Sequence, residues 1–199
     1  MKIILTRHGE TEENKRGILQ GWKIGTLSET GRRQAALLGK RLRKTKIDMI
    51  YTSDLDRCVK TAKVIAKYHP KAKFIKDKRL RESRLGVFEG KNIGKNDWDA
   101  LKGDIFTNKP KNGENFIEVW ARLKEFYEEI FKKNNDETIL VVGHGGSMCL
   151  LQGLIYKKDL EYSLFKIEKL KNTAVTEIEI NKDGSYKVLL LNSEKHLIS

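Results

Sequence analysis

Lys2-Ile3-Ile4-Leu5-Thr6-Arg7-His8-Gly9-Glu10-Thr11 is the stretch on which the reading of the chain turns. Ile3-Ile4-Leu5 is a short apolar run that reads as a buried strand. It delivers an arginine and a histidine, Arg7 and His8, to the strand end. Gly9 then permits a tight turn or a close backbone approach that a side chain would block. A neutral imidazole can attack phosphorus, and a neighbouring guanidinium can bind two phosphate oxygens at once. A lone histidine at a strand end is nevertheless better explained by local hydrogen bonding. The rest of the chain has to decide.

The chain has 199 residues, enough for one sizeable domain with a well-buried core. Its formal charge is +13, carried mostly by lysine and spread along the sequence. The densest basic run lies between Lys60 and Arg84, with no zinc-finger spacing or RNA-binding signature beside it. A solvated basic face is therefore expected, one that attracts small anionic substrates and not nucleic acid. No apolar run approaches a membrane span, and the N-terminus enters a strand with no signal-peptide core. Cys58 and Cys149 are the only cysteines and neither lies in a metal-binding cluster, so no disulfide, metal or cofactor is expected. These features point to a soluble cytoplasmic protein; they say nothing of its oligomeric state.

Beyond the first strand, Glu12 to Gly25 is polar and glycine-rich and reads as loop. Ser28 is a candidate N-cap for a helix running to about Lys44, with Ala35, Leu38 and Leu42 on one face. Met49-Ile50-Tyr51 is a second strand. Thr52-Ser53-Asp54 opens a helix whose buried stripe is Leu55, Val59, Ala62 and Ala66, and Arg57 falls in its first turn. A helix N-terminus already offers unpaired N–H groups to an anion, and Arg57 adds a positive fork there. Lys73 to Lys76 is a third strand, followed by a loop from Leu80 to Gly90. Residues 91–113 are polar and irregular, with a short helix expected around Asp97 to Lys102; they read as a substrate-rim insertion within a single domain, 1–199. Phe116 to Ile130 repeats at i, i+3, i+4, i+7, so its aromatics belong to the core. Thr138 to Val142 is the strongest strand and ends in Gly143-His144-Gly145-Gly146, before a buried helix from Ser147 to Tyr156. Val175 to Ile180 and Tyr186 to Leu191 form an antiparallel hairpin about Asn181-Lys182-Asp183-Gly184.

Alternating strands and helices imply a mainly parallel sheet, with ligands outside the carboxyl ends of its strands. Arg7 and His8 follow the first strand, Arg57 the second, Glu82 the third and His144 the fourth. Topology alone brings two histidines, two arginines and a carboxylate to one edge, too many coincidences for chance.

The residues at this edge carry a resemblance. Arg7-His8-Gly9-Glu10-Thr11 with Asn14, Leu27 through Gly31 to Gln34-Ala35, Ser53-Asp54-Leu55-Asp56-Arg57 with Thr61-Ala62, Leu80-Arg81-Glu82 leading to Glu89-Gly90, Gly113-Glu114, and Gly143-His144-Gly145-Gly146 follow one another in the chain. In this order they resemble the histidine phosphatase superfamily, the phosphoglycerate mutase-like proteins. The resemblance implies an α/β fold, a three-layer α/β/α sandwich, and chemistry without a metal. It implies that His8 is phosphorylated in turnover and that Glu82 protonates the leaving oxygen. Arg7, Arg57 and a protonated His144 would clamp the phosphoryl group, with Asn14, Gln20 and Gly21 beside it. Two departures concern the substrate rim: Ile24 and Thr26 stand where the family often has Asp and Pro, and Asn115 where it often has Ser. The cofactor-dependent mutases of the family carry a longer insert with adjacent arginines; no Arg-Arg pair occurs here between Glu82 and His144. The expectation is therefore a phosphatase acting on a small phosphomonoester. A glycolytic mutase is the alternative, and a basic binding protein with an inactive site comes last.

Overall fold

Strand β1, Lys2–Arg7, has both faces covered, as its unbroken apolar run requires. Ile3 and Leu5 point to one side and Ile4 to the other, each fully buried. The computed structural model describes residues 1–92, 104, 106–133 and 136–198. Within them the order continues with α1 Glu12–Lys15, α2 Glu29–Leu42, β2 Met49–Thr52, α3 Asp56–Ala66 and β3 Lys73–Lys76. Two 3₁₀ turns, Lys78–Leu80 and Gly86–Phe88, precede α4 Phe116–Lys133. The chain ends with β4 Thr138–Gly143, α5 Gly145–Ile155, α6 Leu160–Phe165, β5 Val175–Ile180 and β6 Tyr186–Ser193.

The six strands form one sheet in the order β3-β2-β4-β1-β5-β6. The first four are parallel to one another, and β5 and β6 add an antiparallel pair on the β1 side. The two faces carry separate cores. Ile3, Leu5, Ile139 and Val141 pack with Val119, Leu123 and Phe126 of α4 and with Leu150 and Leu151 of α5. Ile4, Leu140 and Val142 pack instead with Leu38 and Leu42 of α2 and with Cys58, Ala62 and Ile65 of α3. The period-two alternation of the strands thus produces the three layers. Of the α4 aromatics, Phe126 is buried edge-on to Tyr51 with ring centroids 5.3 Å apart, and Trp120, Tyr127 and Phe131 pack half-buried on the same core; Phe116, expected there too, lies at the first turn of the helix outside it.

Several boundaries differ from expectation, for identifiable reasons. The loop after Thr11 begins with a helical turn because Thr11 and Asn14 cap each other reciprocally. Helix α2 stops at Leu42, two residues short of Lys44. The buried stripe of α3 is Cys58, Val59, Ala62 and Ile65, while Leu55 and Ala66 are only half-buried. Helix α5 starts at Gly145 because Ser147 closes a cap on the His144 backbone. Helix α6 is additional, opened by Asp159, whose side chain accepts from the Tyr162 N–H. The expected helix around Asp97 to Lys102 lies outside the described residues. Among the described residues no helix is long and apolar enough to cross a membrane.

Candidate active site

Parallel pairing of β1 with β4 sets Arg7 opposite Gly143, so the next residue of each strand, His8 and His144, emerges side by side. The His8 N–H donates to the Gly143 carbonyl at 3.1 Å, and the two imidazoles meet edge to face at 5.3 Å. His8 Nδ1 lies 2.8 Å from the Gly9 carbonyl oxygen. A carbonyl only accepts, so Nδ1 carries the proton and the lone pair of neutral His8 resides on Nε2. Gly9 is itself pinned: its N–H donates to Thr61 Oγ1, and a Cβ there would overlap the Gly31 carbonyl oxygen at the start of α2. His8 is held well below the usual imidazole range, first by burial and then by Arg57 and Arg7. It is therefore neutral at physiological pH.

Arg57, in the first turn of α3, is 1% exposed. Its Nη2 donates to the Gly21 carbonyl at 2.8 Å, its Nη1 to the Lys23 carbonyl at 3.1 Å and its Nε to His144 Nδ1 at 3.2 Å. Arginine has no acceptor, so His144 Nδ1 bears a lone pair and Nε2 bears the proton, 2.9 Å from Ser53 Oγ. Burial, then Arg57, His8 and Arg7, hold His144 well below its ordinary range. The sequence suggests a protonated His144; the structure holds it neutral, because a second proton on Nδ1 would face the Arg57 Nε–H. Cys58 lies beneath this pair, its thiol pushed up to about 12 by burial and donating to the Gly143 carbonyl at 3.2 Å. Burial lowers both Arg7 and Arg57 from the ordinary guanidinium value, and Glu82 opposes that shift in each. Both remain cations.

Glu82 follows the first 3₁₀ turn and caps the N-terminus of α5. Its Oε2 accepts from the Gly146 N–H at 3.0 Å, and its Oε1 from the Ser147 and Ser83 N–H groups at 3.1 and 3.0 Å. Oε1 is doubly occupied, whereas Oε2 keeps one lone pair as a seat for a transferable proton. The Glu82 carbonyl oxygen is also doubly held, by Trp22 Nε1 at 2.7 Å and Arg122 Nη2 at 3.0 Å.

These groups border a cavity of about 280 Å³. Of the eight residues expected from sequence, Arg7, His8, Asn14, Gln20, Gly21, Arg57 and Glu82 line it. His144 does not; it stands behind Arg57 and reaches the cavity through that residue. Asn14 spends its Oδ1 on the Thr11 N–H, which leaves its amide N–H₂ for the cavity. Among the described residues, Arg7 Nε and Gln20 Oε1 are buried without a partner, a donor and an acceptor left for a bound molecule. Ile18, Leu19, Leu85 and Phe116 add an apolar flank, and Lys169 a further cation. Sequence reasoning missed this flank, and it missed Trp22, Arg122 and Ser53. Among the described residues, no group of three or more His, Cys, Asp or Glu is placed to hold a metal ion.

Two adjacent strand-end histidines, the buried Arg57, the half-buried Arg7 and a carboxylate on a helix N-terminus define a class, and comparison agrees. The sequence pattern of the histidine phosphatase superfamily (branch 1) matches residues 3–194, and the chain belongs to that superfamily. A probable phosphatase of Schizosaccharomyces pombe is 32% identical over 206 residues, covering 100% of this chain and 96% of its own length. A phosphoglycerate mutase of the same organism is 34% identical over 200 residues, with 92% of each chain covered. Among solved structures, Bacillus stearothermophilus YhfR superposes with a TM-score of 0.86 at 32% identity, covering 98% of each chain.

Proposed function

We propose that this chain is a phosphomonoester hydrolase that works through a phosphohistidine at His8, without a metal. The observation that carries the reading is the bond from His8 Nδ1 to the Gly9 carbonyl, which leaves Nε2 as a nucleophile at a wall shared with Arg7 and Arg57. A phosphate monoester repels nucleophiles until its oxygens are neutralised. The two guanidiniums and the Asn14 amide are the groups for that task, and the Arg7 Nε–H, without a partner among the described residues, suits one phosphate oxygen. Nε2 attacks phosphorus as the bond to the ester oxygen breaks, and that oxygen takes the proton held on Glu82 Oε2. Water then attacks the phosphohistidine, gives its proton to Glu82, and releases orthophosphate with His8 restored. His144 acts by orienting Arg57, whose Nε–H it accepts. The cavity size suits a small phosphorylated metabolite.

A mutase is the second reading, favoured by the likeness to a phosphoglycerate mutase. Isomerisation of 3-phosphoglycerate with added 2,3-bisphosphoglycerate should be negligible beside hydrolysis; faster isomerisation would reverse the assignment. The central test is rapid mixing with substrate followed by denaturation without acid. Phosphate should be recovered on the His8 peptide and be lost in His8→Ala. Turnover with no phosphorylated peptide, or phosphate on another residue, would refute the mechanism.

A further inference from the structure

Trp22 does not line the cavity, yet it is bonded to both halves of the site. Its indole Nε1–H donates to the Glu82 carbonyl at 2.7 Å. The carbonyls on either side of it, of Gly21 and Lys23, are the two that accept from Arg57. One tripeptide thus holds the arginine of the phosphoryl clamp through its backbone and the backbone of the carboxylate through its side chain. The ring itself is fixed. Arg81 lies over it at 4.4 Å and Arg84 at 5.1 Å from the ring centroid. Arg81 is in turn locked by Asp54, which accepts Nε and Nη2 at 2.6 Å each, three residues before Arg57. The Trp22 N–H donates to Glu89 Oε1 at 2.9 Å, and the same oxygen accepts the Leu85 N–H at 3.0 Å. The turn is therefore tied to both ends of the segment that carries Glu82.

We propose that Trp22 is a positioning residue for the proton transfer: it sets the distance between the Glu82 carboxyl and the phosphoryl group held by Arg57. This rests on Glu82 being the acid. The chemistry asks for tryptophan in particular. The position needs a flat face to receive guanidinium groups and, at the ring edge, an N–H that reaches a carbonyl. Phenylalanine supplies the first and lacks the second. In Trp22→Phe the Glu82 carbonyl keeps its bond from Arg122, so the segment stays tethered while its lateral position loosens.

The test measures the phosphorylation step in the full chain for the wild type, Trp22→Phe, Glu82→Gln and the double variant. One substrate is an alkyl phosphate, whose leaving oxygen must be protonated. The other is p-nitrophenyl phosphate, whose phenolate needs no proton. Trp22→Phe should lose roughly tenfold or more on the alkyl ester, within the range that misplacing a reacting group costs, and less than about twofold on the aryl ester. In the Glu82→Gln background it should cause no further loss on the alkyl ester. Inhibition by orthophosphate reports on the arginine clamp and on folding together, and should stay within about twofold of wild type. Equal losses on both esters, additive losses in the double variant, or weakened orthophosphate inhibition would each overturn the role of Trp22. Equal losses of Glu82→Gln itself on the two esters would overturn the Glu82 assignment, and the role of Trp22 with it. The first set, with Glu82→Gln selective for the alkyl ester, fails Trp22 alone.

Discussion

Replacing Arg122 tests how the segment carrying Glu82 is held. The guanidinium uses all five of its N–H groups: Nη1 donates to the carbonyls of Arg79 and Arg81 at 2.5 and 2.8 Å, Nη2 to the Glu82 carbonyl and Glu114 Oε2, and Nε to Glu114 Oε1 at 3.0 Å. The Arg122 side chain is only 15% exposed and that of Glu114 16%. In Arg122→Met the Glu82 carbonyl keeps Trp22, and Glu114 Oε2 keeps the Arg84 N–H. The Arg79 and Arg81 carbonyls and Glu114 Oε1 lose their guanidinium donor. An orphaned acceptor costs about 1–3 kcal/mol and a broken, largely buried ion pair about 3–5 kcal/mol. Water enters part of this site, so a total of about 3–5 kcal/mol is expected. At ~2–4 °C per kcal/mol for a domain of this size, the melting temperature should fall by roughly 6–20 °C. Arg122→Lys keeps the charge but offers three donors from one point, which cannot serve three carbonyls and a carboxylate in separate directions. It should recover less than about half of the loss. Urea unfolding followed by tryptophan fluorescence, with thermal melts beside it, measures both variants. Stability of Arg122→Met within about 1 kcal/mol of wild type, or full recovery in Arg122→Lys, would refute this account, since surface ion pairs contribute only that much.

Three further outcomes are expected. Gly31→Ala should destabilise by about 1–3 kcal/mol in denaturant, the usual cost of overpacking, because its methyl group would overlap the Glu10 carbonyl oxygen; an unchanged midpoint would contradict the close approach. The hydrogen bonds from Arg81 hold the Asp54 carboxyl below the usual carboxylate range. Ionised Asp54 therefore stabilises the fold above the unfolded value of about 3.9, and that contribution is lost as pH falls through the lower folded value. The stability gap between wild type and Asp54→Asn should be full at neutral pH and shrink below about pH 4; a gap constant across that range would remove the pair as its source. Phosphatase turnover should be unchanged by a chelator, because in the proposed mechanism arginines supply the neutralising charge; loss in chelator with rescue by a divalent ion would decide against metal-free chemistry.

Much of the site was legible because it depends on strand ends. A short apolar run followed by Arg7-His8, and another followed by Gly143-His144, place those residues wherever a parallel sheet forms. Arg57 could be placed from its position at a helix start. The protonation of His144 was not legible, since it depends on Arg57 Nε, 87 residues away in sequence. Trp22 and Arg122 were invisible for the same reason. Their bonds to the Glu82 carbonyl span 60 and 40 residues and follow no periodicity. Helix α1 escaped notice because its cap pairs Thr11 with Asn14, where the familiar signal has Glu or Gln. Helix α6 escaped because it has only six residues. The β5–β6 hairpin needed only its alternation and its Asn181-to-Gly184 turn.

Arg57 is among the largest fully buried side chains in the protein; its guanidinium donates to His144 and to the Gly21 and Lys23 carbonyls, and Glu82, Glu13 and Glu89 oppose the effect of its burial. The carboxylate nearest to the purpose, Glu82, is committed to helix amides. Among the described residues no carboxylate is bonded to this buried cation, so a compact oxyanion beside it would offset part of its burial cost. Orthophosphate should raise the melting temperature of the resting protein, and product should leave reluctantly. Substituting an apolar side chain for Arg57 would remove a buried charge but orphan the Gly21 and Lys23 carbonyls, and it should abolish stabilisation by orthophosphate.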